Sequence, residues 1–135
     1  MTQSPNRLVG AVFGVVYLLV GLAGFAVTGD VPFVGQEGSS LLGFEVNGLH
    51  NIVHLLIGAA LLAASRKVST AKGMNTTVGA VYLLVGVVGL FILDSSANIL
   101  ALNGADNVLH LGSALILLAV GLGADKATTP RTRTA

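Results

Sequence analysis

The stretch VYLLVGLAG at 16–24 returns as VYLLVGVVG at 81–89, with seven of nine positions identical. A second stretch, NGLHNIVHL at 47–55, returns as NGADNVLHL at 103–111 and keeps its glycine, both asparagines, the second histidine and the closing leucine. The echoes come in the same order, so the chain reads as a tandem duplication of a two-helix hairpin, one copy over about 7–66 and the other over about 74–123. The offset between copies falls from 65 residues at the first block to 56 at the second, which shortens the loop of the second copy by nine.

Of 135 residues, 53% are hydrophobic and 10% charged, and the mean hydropathy is +0.85. A water-soluble domain carries about 25% charged residues, so this composition points to a chain immersed in lipid. Apolar runs fall at about 8–27, 48–64, 78–93 and 108–123. Each approaches the ~20 residues a helix needs to cross about 30 Å of hydrocarbon, where backbone groups must be satisfied within the segment. The expected fold is all-α: one transmembrane domain over 1–135, an integral-membrane four-helix bundle with a disordered polar tail at 124–135. The first run is expected to be retained, being too long for a secretory h-region and lacking an A-x-A site. The absence of cysteine removes thiolate metal sites and covalently attached haem.

An even number of helices per copy makes the two hairpins parallel, related by a pseudo-two-fold axis along the membrane normal. All seven basic residues, Arg7, Arg66, Lys67, Lys72, Lys126, Arg131 and Arg133, fall on one side of the expected spans, and Asp30, Glu37, Glu45, Asp94 and Asp106 on the other. By the positive-inside rule both termini are cytoplasmic. The basic tail is expected to be solvated, with anionic lipid within its reach.

In the first helix Gly10, Gly14, Tyr17, Gly21 and Gly24 share an arc, and the third helix repeats it with Gly79, Tyr82, Gly86 and Gly89. GAVFG at 10–14 is a literal G-x-x-x-G. Small residues let helices approach where lipid gives no hydrophobic drive to associate, so the stripes predict close packing, within the chain or against another subunit or copy. The backward lean of helical side chains sends Tyr17 and Tyr82 toward the cytoplasmic ends of their helices, away from the histidines.

The polar residues of the second helix, Asn47, His50, Asn51 and His54, fall on one face, with Gly58 continuing it. On the fourth helix Asn103, Asp106, Asn107, His110 and Ala114 match them, with Ser113 alongside. These groups are costly against lipid, so the faces should turn inward and set His54 opposite His110. Asn47 and Asn103 fit helix N-caps, with Asp106 at the third helical position where free N–H groups favour a carboxylate. Asn51 and Asn107 fit interhelical hydrogen bonds.

Three readings compete for the histidines. They form a satisfied structural pair; or His50, His54, Asp106 and His110 supply the shell of zinc or another divalent ion; or His54 and His110 are axial ligands of one haem b, with Gly58, Gly112 and Ala114 leaving room for the macrocycle. A proton path is disfavoured, since no acid or base lies in the cytoplasmic half of any span. No nucleophile elbow, phosphate loop or H-E-x-x-H motif is present, which leans against an enzyme, and no basic face suits nucleic acid. The expectation is a small structural or accessory membrane subunit, with a haem- or metal-binding protein as the alternative.

The paired N-x-x-H motifs (Asn51 to His54, Asn107 to His110) and the VYLLVG blocks resemble the small bacterial membrane proteins catalogued as domain of unknown function 4383, common in actinobacteria, over about 7–123. That resemblance implies a four-helix protein of the bacterial plasma membrane, with His54 and His110 as motif residues and no activity attached. The outer loop at 29–46, containing VPFVG and LLGFE, suits either a cover for the polar cluster or a partner contact.

Overall fold

The computed structural model describes residues 4–126. In chain order it contains α1 (Pro5–Phe25), β1 (Ser39–Leu41), β2 (Phe44–Val46), α2 (Gly48–Ala64), α3 (Val68–Ile92) and α4 (Gly104–Gly123). Residues 127–135, with Arg131 and Arg133 and most of the expected tail, lie outside the described part.

Local chemistry sets the helix starts. Ser4 caps α1 by accepting from the Arg7 N–H, and Pro5, whose missing N–H costs nothing there, begins the helix. Asn47 caps α2 by accepting from the His50 N–H at 2.9 Å. A reciprocal capping box opens α4: the Asp106 N–H donates to Asn103 Oδ1 at 2.9 Å, and the Asn103 N–H donates to Asp106 Oδ2 at 2.9 Å.

Three helices, α1, α3 and α4, are long and apolar enough to cross a membrane; α2, also apolar, has 17 residues. Burial is distributed as lipid immersion requires. Leu19, Leu56, Leu84, Phe91, Leu115 and Leu122 are each more than half exposed, while Asn6, Asn51, Asn75, Asn107 and all three histidines are buried. Water would reward the opposite arrangement.

The main packing pairs are α1 with α2 and α3 with α4, and the glycine stripes form both seams. As α1 advances from Gly10 to Gly24, its neighbours on α2 retreat from Ser65 to Asn51. A Cβ at Gly14 would lie 2.8 Å from the Leu62 backbone nitrogen, and one at Gly21 2.9 Å from the Asn51 carbonyl oxygen. On the other seam Gly79 abuts Leu118, Gly86 abuts Leu111 and Gly89 abuts the Asn107 amide. The seven stripe glycines are thus occupied by contacts within the chain.

Tyr17, Leu61, Val78, Tyr82, Ala114 and Leu117 form the apolar centre. One end is tied by Asp125, whose Oδ2 accepts from the Ser4 hydroxyl at 2.8 Å and the Asn6 side-chain amide at 2.9 Å. Asn75 donates to the Asn6 carbonyl at 2.9 Å, and Arg7 Nε donates to the Ser65 carbonyl at 2.9 Å.

At the other end the long loop carries an antiparallel β1–β2 hairpin, which an all-α expectation omits. Its two-residue turn has Leu42 at φ 55 and Gly43 at φ 93, the positive pair that matches strand twist. The third helix also starts earlier than the apolar run at 78–93 indicates. Ten residues from Val68, all but Val68 and Met74 polar or small, join it, because their helical bonds do not require an apolar surface and Asn75 finds its partner on Asn6.

Candidate functional site

The loop ends of α2 and α4 are knitted together before the buried site begins. Asn47 Nδ2 donates to the Gly35 and Ile99 carbonyls, both at 3.0 Å, and the Gly35 N–H donates to the Ile99 carbonyl at 3.1 Å. The Glu45 N–H donates to Asp106 Oδ2 at 3.2 Å, and Asn103 Nδ2 donates to the Gly43 carbonyl at 3.0 Å. The loop therefore lies over the first turns of both helices.

One turn inside, the sequence places His50 and His54 four apart on α2 and His110 on α4. Their imidazoles converge: ring centroids are 4.5 Å apart for His50–His54, 5.9 Å for His50–His110 and 6.5 Å for His54–His110. One donor nitrogen from each falls within 4.8 Å of the other two. All three are nearly fully buried, at 2–4% exposure. Both His50 nitrogens, His54 Nδ1 and His110 Nδ1 have no hydrogen-bond partner among the described residues. Buried imidazole nitrogens left unpaired are costly; the Glu45 and Leu100 backbones lie near His50, and a bound ligand is another way such a cluster could be satisfied.

Both tyrosines join this group, which corrects the expectation that they point away. The Tyr17 ring stacks on His54 at 5.6 Å, Tyr82 lies 5.0 Å from His110, and the tyrosine rings meet at 5.4 Å. Counting from the loop ends explains it. Tyr17 lies eight residues before Phe25 and His54 six after Gly48, depths of about 12 Å and 9 Å at 1.5 Å per residue. A phenol spans that difference whichever way its Cβ leans. Both hydroxyls are buried near each other and near Ser113, and neither makes a well-aligned hydrogen bond among the described residues.

The second and fourth helices meet through their imidazoles, while each packs chiefly on a partner of its own. Asp106 stands outside the trio of donors that lie together, because its Oδ2 is engaged by the Asn103 and Glu45 N–H groups.

The family described as Domain of unknown function (DUF4383) matches residues 7–123. The chain belongs to this DUF4383 family. No curated protein and no solved structure shows a significant match to it.

In this DUF4383 chain the donor set suits a metal ion better than a haem. Of the two glycines expected to leave room for a macrocycle, Gly112 faces open space, but Gly58 is pressed against α1, where a Cβ would lie 2.7 Å from the Leu18 backbone nitrogen. Ala114 is fully buried. His50, Tyr17 and Tyr82 crowd the sides of the His54–His110 pair that a porphyrin would occupy. Three imidazoles, by contrast, are a recurrent zinc set with a fourth position left over. Tetrahedral bonds of about 2.0–2.1 Å put nitrogens roughly 3.3 Å apart, closer than the 4.8 Å within which the three donors lie here.

The asparagines divide. Asn51 donates to the Thr28 hydroxyl at 3.1 Å, in the turn after α1 rather than on another helix, while Asn51 Oδ1 and both polar atoms of Asn107 have no hydrogen-bond partner among the described residues. Thr28 has Leu93 as its counterpart at the 65-residue offset, so the second copy lacks the hydroxyl. Sequence reasoning passed over Asn6, Asn75 and Asn98. Asn98 braces the α3–α4 connection by donating to the Leu93 and Leu102 carbonyls and accepting from the Leu102 N–H. Their signal was available: an asparagine in a short loop or at the polar start of a membrane helix has few satisfactory places except against backbone.

Proposed function

We propose that this protein is a small four-span membrane subunit whose two hairpins are held together by one divalent transition-metal ion, zinc by its donor set, on His50, His54 and His110. The observation that carries the reading is the convergence of three buried donor nitrogens within 4.8 Å of one another, with partnerless nitrogens on every ring. Two ligands come from the first copy and one from the second. The ion would join helices that otherwise have little backbone contact, giving the polar cluster a structural, non-enzymatic task.

The membrane topology belongs to the same proposal. The matched glycine seams support two tandem antiparallel hairpins, and 17 residues in α2 reach the short end of the spanning range. Arg7, Arg66, Lys67, Lys72 and Lys126 flank one set of helix ends, which favours cytoplasmic termini in a plasma membrane. Asp106 acts as the cap of α4 rather than as a ligand.

The test is metal analysis of protein purified in mild detergent. One zinc per chain is expected, no Soret band, and loss of the ion from His50→Ala, His54→Ala and His110→Ala. Zinc at 100 times its dissociation constant should add about 2.7 kcal/mol of stability, and a chelator should remove it. A protein that takes up no ion on zinc titration, with stability indifferent to chelator, would sink the proposal.

A further inference from the structure

The side of the bundle between α1 and α4 carries a groove of about 430 Å³, within the 300–1,000 Å³ typical of small-molecule sites. Its walls include Val12, Phe13, Val16, Leu109 and Ile116. Val12, Val16, Leu109 and Ile116 are each 41–51% exposed, so in a bilayer the mouth opens on hydrocarbon. The deeper lining is different: Tyr17, His54 and Ser113 are only 4–5% exposed, with the Ser113 hydroxyl beside that of Tyr17. The Tyr17 hydroxyl and His54 Nδ1 are buried and make no well-aligned hydrogen bond among the described residues.

The duplication shows how the opening is made. Leu56 and Ile57 of the first copy are replaced by Gly112 and Ser113 at the 56-residue offset. A small residue and a hydroxyl thus stand where the sister helix carries two bulky apolar side chains. A Cβ built at Gly112 meets nothing within 4 Å. No charged side chain lines the groove, so an ionised head group would be buried there uncompensated. A neutral oxygen would bring no charge into the groove and would offer the neighbouring Ser113 and Tyr17 hydroxyls a partner.

We infer that the groove is a lateral binding site for a bilayer-dissolved amphipath with an apolar body and one neutral oxygen-bearing head, a hydroxyl or carbonyl, held by Tyr17 and Ser113 beside His54. The head enters from the lipid, not from water, and the body lies along the valine wall of α1. Binding does not depend on the ion proposed above, although His54 borders both sites.

The experiment uses two photoreactive probes in lipid nanodiscs, a long-chain alcohol bearing a diazirine and the matching hydrocarbon without the hydroxyl. Crosslinks are mapped by mass spectrometry. The alcohol should label the groove residues of α1 and α4 severalfold more than the hydrocarbon, and should do so in chelator-treated protein as well. Gly112→Leu should abolish that labelling while leaving zinc content and unfolding temperature unchanged. Tyr17→Phe and Ser113→Ala, which carry the test should Gly112→Leu misfold, should erase the preference for the alcohol. Equal labelling by the two probes, which is what ordinary lipid chains filling a crevice would give, would overturn the inference. So would undiminished labelling in Gly112→Leu, or labelling that disappears with the metal.

Discussion

The imidazoles of His54 and His110 stand with their centroids 6.5 Å apart, although α2 packs chiefly on α1 and α4 on α3. Side chains rather than backbones therefore join the two copies at this level. Packing between small residues holds each helix pair, and the junction between the pairs combines the apolar centre around Leu61, Tyr82 and Leu117 with imidazoles that carry unpaired nitrogens. An ion shared by these rings would convert a costly cluster into a fastening.

If Asp106 caps and does not ligate, its removal separates two properties. Asp106→Ala deprives the Asn103 and Glu45 N–H groups of their acceptor, a loss of about 1–3 kcal/mol. Amide exchange at Glu45 should quicken, while zinc stoichiometry stays at one per chain. Loss of zinc comparable to that in His110→Ala would restore the four-ligand site.

The glycine seam predicts a contrast between positions of equal size. Gly14→Val drives side-chain atoms into the α2 backbone, whose Leu62 nitrogen lies 2.8 Å from the first carbon added. It should cost roughly 1–3 kcal/mol, as overpacking does. Gly112→Ala, with open space around its Cβ, should be neutral or better in thermal unfolding, since alanine favours helix over glycine by about 1 kcal/mol. Equal effects at the two sites would show that the seam is not a tight contact.

Asn107 offers a gain. Leu93→Thr places a hydroxyl where Thr28 serves Asn51 in the first copy, and one new hydrogen bond to a buried amide is worth about 0.5–1.5 kcal/mol. Unfolding of Leu93→Thr should shift upward. No shift, or a downward one, would mean that the second copy does not present its turn as the first does.

The Asp125 tie predicts an acid limit. The Asn6 side chain first, then the Ser4 hydroxyl, the Asn6 N–H and the nearby Lys72 charge hold its carboxyl below the ordinary carboxylate range. A depressed folded value gives stability that is fully present above the unfolded value, about 3.9, and is lost as pH falls through the folded one. The unfolding temperature of Asp125→Asn should therefore fall less below pH ~4 than that of the parent. An identical acid profile would assign the acid sensitivity elsewhere.

The four helices were legible in the sequence because each carries a continuous apolar run; α2 matches the run at 48–64 to the residue. The inward face was legible from the repeat, since Asn47, His50, Asn51 and His54 share an arc that Asn103, Asp106, Asn107 and His110 echo. What escaped was relative depth. Tyr17 and His54 lie on antiparallel neighbours, so their encounter depends on where two helices end, not on the pattern within either. The β1–β2 hairpin escaped for another reason: SSLLGFEV carries an alternation too short to outweigh the helical background. Asp106 was legible both as cap and as ligand, and only the placement of the Glu45 N–H beside its carboxylate separates the roles.

X-ray absorption at the zinc edge of the intact protein counts the ligands directly. A first shell containing three imidazole nitrogens at about 2.0–2.1 Å, reduced in His50→Ala and unchanged in Asp106→Asn, is the result predicted here. A shell containing fewer than three imidazoles, or protein that retains no zinc to measure, would contradict it.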